Sequence, residues 1–586
     1  MTHPLSVRHP NAARGLRCCI LLVGVASAPL ALGQATPVQR IIGEPDAIEG
    51  FDLNVIGSFR GTSDGAVAVR GTDLSFMQTV PFPANGGARI GIVIEPPDGS
   101  GSPVTPSVAL QGFDFTPTNA SSPIGSLNIA DDRTLAYRNT DAAGDPLLFL
   151  PAGGSPTTIL SEGDALDPAL NLPGATWDQF GLVRFIDQDT FVISGEYTDG
   201  TVDTYAPQNV TGTRFDQGVF KFDNGTWTSL VQTGDTLAGL TGPESVVSYA
   251  RLDGSTFNDL GSIGVSADGE RWIGVVDVDP STFRPTVNPF PVRNQLLVDS
   301  AAVTNAGDGS LLQEDLPVPA ALVDGETGFI WEDFFGGSIN SQGDWVVAGQ
   351  IGDGTATDST IDEVLILRGS GDTMTEVLYR PGDSVPSDLG DDATFVDTAG
   401  RLAINEDGDI AAVWGDSVFV NGREVAGIGS EVLDAAGDPT STTLGQLNLG
   451  LTLSERTDDG ELVIHFSGRL PGETLNQSDI YRLVLTLEGG IPGDYDDSGS
   501  VEQGDLNLVL NNWGQDAPFE PNGDPFATLA VDQEELNRVL NNWGNTAVNP
   551  DFTGFSVPEP TSALLLSLTA FARRRSSSCE RPWRDA

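Results

Sequence analysis

The sequence predicts an all-β body followed by a small helical unit, and three observations carry that expectation. From about residue 40 to residue 487, short apolar strands alternate with Gly, Asp and Asn turns, with no long stretch of helical period. Two hairpin phrases recur along that stretch. Near the carboxyl end the apolar spacing changes to i, i+3, i+4, i+7 in two runs, D-L-N-L-V-L-N-N-W-G and E-L-N-R-V-L-N-N-W-G.

Composition narrows the classes. With 586 residues the chain is too long for one ordinary domain and ample for a large core. Lys+Arg is 29 against Asp+Glu 82, a formal net charge of −53. Such a surface repels duplex nucleic acid and anionic membrane, and both are excluded as partners of the body. Gly 70 and Pro 38 fit many turns and short strands. Cys18, Cys19 and Cys579 all lie in the end segments, so no disulfide or thiolate site is expected between them. His465 is the one body histidine, which leaves no His-rich zinc site and makes any His-dependent triad rest on one residue.

Taken in chain order, residues 1–34 read as a secretory signal peptide. Arg8, Arg14 and Arg17 precede an apolar run, and Ala31-Leu32-Gly33 before Gln34 is the expected cleavage site.

Residues 36–487 form the expected body. One phrase, strand-turn-strand then G-D, occurs at Leu147–Asp164, Gly218–Asp235 and Val364–Asp383. A second, strand-acidic turn-strand, alternates with it at Leu127–Tyr137, Ile263–Val276, Ser338–Gly349, Leu402–Trp414 and Leu451–Phe466. Two hairpins per unit make a four-stranded sheet. Sheets repeated every 60–90 residues or so predict a β-propeller of six or seven blades, since radial packing buries both faces of each sheet. A pair of β-sandwiches is the alternative, but it gives no reason for the G-D phrase to recur.

Residues 490–546 carry the clearest chemical motif. Asp494 to Asp505 reads D-Y-D-D-S-G-S-V-E-Q-G-D. Asp494, Asp496 and Ser498 alternate as oxygen donors, Gly499 allows the sharp turn, Ser500 offers its carbonyl, and Asp505 closes the shell from a helix start: the spacing of a calcium loop. Leu506, Val509, Leu510 and Trp513 make one helix face, Leu536, Val539, Leu540 and Trp543 a second, with Gly514 and Gly544 as C-caps. In the second copy Asp524 takes the first position, but Phe526 holds the third and Leu529 replaces the glycine. Asp524, Thr528, Asp532 and Glu535 therefore form a weaker second calcium site. The duplicated unit, Gly493 to Gly544, resembles the dockerin domain, and the resemblance implies a cohesin-like protein partner outside the cell.

A linker at 547–556 leads to the segment 557–586. Val557 to Pro560, the apolar run that follows and the basic cluster Arg573–Arg575 resemble the PEP-CTERM sorting signal of Gram-negative bacteria. That resemblance implies an exosortase-type processing enzyme, transient membrane contact, and delivery to the cell surface or extracellular matrix. The apolar run, Ser562 to Ala572, is shorter than the roughly 20 residues of a membrane span.

The remaining motifs read as structure. G-T-S-D-G at Gly61–Gly65 fits the G-x-S-x-G pattern but has no helix after it, so a turn is expected. Asp131-Asp132 and Asp458-Asp459 are expected at hairpin tips, and Trp227, Trp272, Trp345 and Trp414 in the core. No catalytic residue is assigned. The expected function is an exported binding or structural protein whose body takes a surface glycan or a protein. The alternative is an extracellular glycoside hydrolase or lyase carrying the dockerin-like unit.

Overall fold

The computed structural model describes residues 37–486, with interruptions of which the longest are 74–87, 97–105, 114–126, 241–249, 252–262, 279–292 and 353–362, and residues 503–511. The chain divides into two compact units, residues 1–486 and 487–586.

The first unit is a β-propeller. Six blades are each built from one continuous stretch of chain. Their first strands are Val55–Gly61, Leu127–Ile129, Thr176–Asp187, Gly264–Val265, Ile330–Ile339 and Gly400–Ile404, and each is followed by three antiparallel strands. A seventh blade is composite: Gln446–Leu453, Glu461–Arg469 and Asp479–Thr486 are completed by Val38–Ile42 from the other end of the unit. Blades are numbered 1 to 7 in that order. Each first strand neighbours the first strand of the next blade, and that of blade 7 returns to blade 1, so the seven first strands line a central axis. This agrees with the expected propeller, and among the described residues seven blades close the circle.

Both faces of a blade are apolar because both pack against a neighbour. In blade 5, Trp345, Val347, Leu365 and Leu367 pack toward blade 4. The alternate residues Val346, Ala348, Val364 and Ile366 pack toward blade 6. Strand period 2 thus puts one half of the run W-V-V-A on each face, which is why these strands read as continuous apolar stretches rather than alternating ones.

The recurrent G-D phrase has a structural explanation. In blades 2, 3 and 5 the aspartate accepts a backbone N–H from three residues earlier: Ser161 to Asp164 (2.7 Å), Gln232 to Asp235 (2.8 Å) and Arg380 to Asp383 (2.7 Å). Gly163, Gly234 and Gly382 sit at φ of 86°, 94° and 91°, a region a Cβ disfavours. The turn then clasps the entry to the next blade. Gly163 and Asp164 exchange backbone hydrogen bonds with Trp177 (2.8 and 3.0 Å), and Gly382 and Asp383 with Phe395 (2.8 and 2.9 Å). Trp177 and Phe395 are buried, so each clasp pins a large side chain between blades. A similar pair of hydrogen bonds follows Val38–Ile42, where the Gly43 N–H reaches the Asp46 carboxylate (2.7 Å) and the Asp46 N–H the Gly43 carbonyl (2.7 Å).

Two of the outer edges are covered. Thr304–Asn305 pairs in parallel with the outermost strand of blade 5, and Glu431–Leu433 with that of blade 7. Each such strand satisfies edge groups that would otherwise invite pairing with another chain.

In the second unit the structure describes one helix, Gln503–Asn511, which starts two residues before the expected position at Asp505. Val509 is buried and Leu506 half-buried, but Leu510 is 53% exposed. The buried stripe is narrower than expected, because each residue rotates the helix face by about 100° and Leu510 falls past its edge.

Candidate functional site

In six blades the first-to-second-strand hairpin opens with the same kind of backbone hydrogen bond. Thr62, Ala130, Ser266, Asn340, Asn405 and Ser454 each donate a backbone N–H across the turn to the strand that returns. The residue after each of them is Ser63, Asp131, Ala267, Ser341, Glu406 or Glu455. These equivalent residues meet around one end of the axis. Ser63 donates its N–H (3.0 Å) and hydroxyl (2.6 Å) to Asp131 of blade 2. The Glu455 N–H reaches the carbonyl of Ser63 (2.7 Å), and the Glu406 N–H reaches Glu455 (2.8 Å). Ser341 gives its N–H (2.8 Å) and its hydroxyl to Glu406, which also takes the Ala267 N–H (3.1 Å) from blade 4. Blade 3 has a tight hairpin at Asp187–Thr190 instead, and Arg184 of its first strand carries charge toward Asp131, Glu406 and Glu455. The result is a hydrogen-bonded arc from blade 2 through blades 1, 7 and 6 to blades 5 and 4, with three carboxylates and one facing guanidinium.

Within the arc Glu455 is perturbed. Burial pushes its carboxyl up, to about 7; the N–H of Glu406 pulls the other way, while the charges of Glu406 and Asp407 add to the rise. Beside it Arg456 forks onto Asp409, with Nε at 2.7 Å, and its N–H caps Asp407 (2.9 Å).

Three arginines extend from the first strands: Arg60 of blade 1, Arg184 of blade 3 and Arg401 of blade 6. No two of these blades are neighbours, so their side chains can influence one another only across the central channel. Burial lowers the Arg60 pKa, and the like charges of Arg401 and Arg184 lower it further. Arg60 is nevertheless exposed. Among the described residues its one hydrogen bond runs to the carbonyl of Phe59 (3.0 Å). Arg184 Nε is buried without a hydrogen-bond partner. Neither Arg60 nor Arg184 lies within ion-pair distance of a described carboxylate, whereas Arg40, Arg133, Arg138, Lys221, Arg271 and Arg456 all do.

A second concavity, about 630 Å³, lies at the outer strands of blade 7, lined in part by Arg40, Ile42, Asp46, Asp434 and Thr440. Its arginine is already committed to Asp479 (2.8 Å) and Asp46 (3.4 Å).

The residues singled out from the sequence fall in different places. Asp494, Asp496, Ser498, Ser500, Asp524, Thr528, Asp532 and Glu535 lie outside the described residues, as do the signal peptide and the sorting segment; Asp505 is the third residue of the described helix, its side chain outside the description. Among the described residues no group of three or more His, Cys, Asp or Glu is arranged to hold a metal. Ser63 sits in a turn with Asp131, and His465 in a strand, buried, with Nε2 unpartnered and its pKa pushed down to about 3 by burial and by Arg482. Trp272, Trp345 and Trp414 are core residues, and Trp227 packs on Trp177 and Phe222. The channel arginines escaped notice in the sequence. Their signal is an arginine inside an apolar first strand, as in G-S-F-R-G, L-V-R-F-I and G-R-L-A-I, in a chain where acids outnumber bases 82 to 29.

No protein-family model matches the sequence, and no curated protein matches it. Solved structures do. The α-L-arabinofuranosidase Arb93A of Fusarium graminearum is 11% identical, with 78% of this chain and 99% of that chain covered and a TM-score of 0.28. The polysaccharide lyase Uly1 is 13% identical, with 77% and 98% covered and a TM-score of 0.33. The β-propeller domain of the trilobed protease from Pyrococcus furiosus is 9% identical, with 64% and 97% covered and a TM-score of 0.25. At these scores the likeness carries neither substrate nor chemistry to this chain.

Proposed function

We propose that the chain is an exported binding protein of the cell surface or extracellular matrix, whose propeller body engages a glycan and whose carboxyl-terminal unit is a dockerin-like calcium module. The observation that carries the body's part is the central axis: arginines extend from the first strands of three non-adjacent blades, and the buried Arg184 Nε has no hydrogen-bond partner among the described residues. The calcium part is supported by the loop at Asp494–Asp505 and its oxygen spacing, followed by the helix Gln503–Asn511. The two end segments support the export route, with a cohesin-like protein and an exosortase-type enzyme as partners.

Adding calcium to the chelated full-length protein is expected to release heat and to raise helical signal by circular dichroism. Asp494→Ala with Asp505→Ala is expected to abolish both. No heat and no gain of helix in the unsubstituted protein would overturn the calcium assignment. For the body, a panel of neutral and acidic oligosaccharides tested by calorimetry is expected to yield binding without turnover.

The enzyme reading, a glycoside hydrolase or lyase, is favoured by one observation: Glu455 holds its proton near neutral pH, as a general acid must. Its partner is missing, because Glu406 spends both oxygens on the amides of Ala267 and Ser341. Release of new reducing ends or unsaturated products from the same panel would move the assignment to enzyme.

A further inference from the structure

We infer that the join between blades 7 and 1 holds a small inorganic anion, of the size and charge of chloride, on Arg482 beside His465. The inference goes beyond the glycan and calcium partners proposed above and does not depend on them.

Strand register brings the two side chains together. His465 of Glu461–Arg469 lies directly opposite Arg482 of Asp479–Thr486, and Arg482 lies directly opposite Gln39 of Val38–Ile42. Residues opposite one another in an antiparallel pair leave the same face of the sheet. That face looks toward blade 1. Ile480, two residues before Arg482, packs with Phe59, Val67, Val69 and Ile92. Val463, two before His465, lies against Gly65, where an added Cβ would meet it at 3.1 Å. These blade 1 neighbours are apolar or bare backbone and bring no counter-charge.

Arg482 is 5% exposed and His465 1%. Gln39 Oε1 accepts from Arg482 Nη2 (2.6 Å), and Gln39 spends its own amide on the Ala435 carbonyl (3.0 Å). Arg482 Nε and Nη1 and His465 Nε2 have no hydrogen-bond partner among the described residues. Nη2 carries two protons, one for each fork that a guanidinium presents, so Gln39 leaves one fork whole. Burial lowers the Arg482 pKa to about 10 with no carboxylate acting against it, and the group stays charged at neutral pH. A buried full charge with unmet donors is costly. Arg40, which leaves the other face of the same sheet, shows the ordinary remedy: its Nε meets Asp479 at 2.8 Å.

An anion in the free fork supplies the missing charge, and His465 adds a donor in the tautomer with its proton on Nε2. Enclosure sets the ligand class. The ion must be small and must shed its water, which admits chloride or bromide and excludes sulfate and any saccharide acid. Gln39 belongs to the strand that closes the circle, so the ion binds the closed body and favours closure by mass action.

The test uses the full-length protein at pH 8, where His465 is neutral. Replacing methanesulfonate by chloride at constant ionic strength is expected to raise the Tm by about 2 °C or more, with saturation. Arg482→Met is expected to abolish that rise and to melt above the parent in methanesulfonate, because an apolar chain replaces an unpaired buried charge. Arg271→Met removes an arginine already paired with Asp299 and is expected to keep the rise. Crystals of the unsubstituted protein soaked in bromide are expected to show an anomalous peak at Arg482 between the two blades, a result that stands even if Arg482→Met does not fold. An unsubstituted protein with equal Tm in the two salts overturns the inference. So does a rise that survives in Arg482→Met, and so do bromide peaks confined to the surface.

Discussion

At the scale of single residues, the half-buried Glu455 and the buried His465 pull stability in opposite directions with pH. Glu455 holds its proton up to about pH 7 in the folded arc, against an ordinary value of 4.5. Between those values the folded chain binds a proton that the unfolded chain has released, so stability falls as pH rises through that window. Glu455→Gln is therefore expected to stabilise the protein by about 1 kcal/mol at pH 8, after discounting for solvent screening, and not at pH 4. His465 behaves the other way. Its folded value is about 3 against 6.5, so the unfolded chain takes up the proton first and stability falls as pH drops below 6.5. His465→Gln is expected to recover on the order of 2 kcal/mol at pH 4 and nothing at pH 8. Thermal melts of both variants at those two pH values check the pair, and identical pH profiles for parent and variants would refute it.

At the scale of elements, the capped turn is the unit that repeats. Asp164→Ala and Asp383→Ala each remove a side-chain cap from a turn that pins the next blade, and each is expected to cost about 1 kcal/mol in chemical denaturation. Ala at Asp132, whose carboxylate caps Thr134 in a hairpin with no such clasp, is the comparison that shows whether the clasp matters. The hairpins were legible in the sequence because turn chemistry is local: Gly163 and Asp164, or Gly382 and Asp383, fix their conformation within four residues. The first strand-to-strand phrase proved to be blade strands three and four, and the second phrase strands one and two. Blade 1 was not legible as a repeat, and neither was the role of Val38–Ile42. The partners of that strand, Ile480, Tyr481 and Arg482, lie some 440 positions away, and no local pattern announces such a pairing. Arg60, Arg184 and Arg401 were hidden for a related reason. Each looks ordinary in its own strand, and only a closed ring of seven brings the three together.

At the scale of the whole molecule, closure depends on one short strand. Val38–Ile42 joins blade 7 through backbone pairing and through Arg40, whose Nε meets the fully buried Asp479 at 2.8 Å. Removing residues 37–43 is expected to leave six blades with their own strands and to open the join between blades 7 and 1. Limited proteolysis should then cut near residues 470–486 while sparing the middle blades; an unchanged digest would mean that the strand contributes little. The same dependence sets an order of events in synthesis. Every other blade has its four strands once its own stretch of chain has been made, but the last must wait until residue 486 has been added and then retrieve a segment made at the outset. A loop of that span is entropically costly and slow to close. The nascent chain therefore stays an unlocked row of sheets until it is nearly complete, and only afterwards becomes a ring.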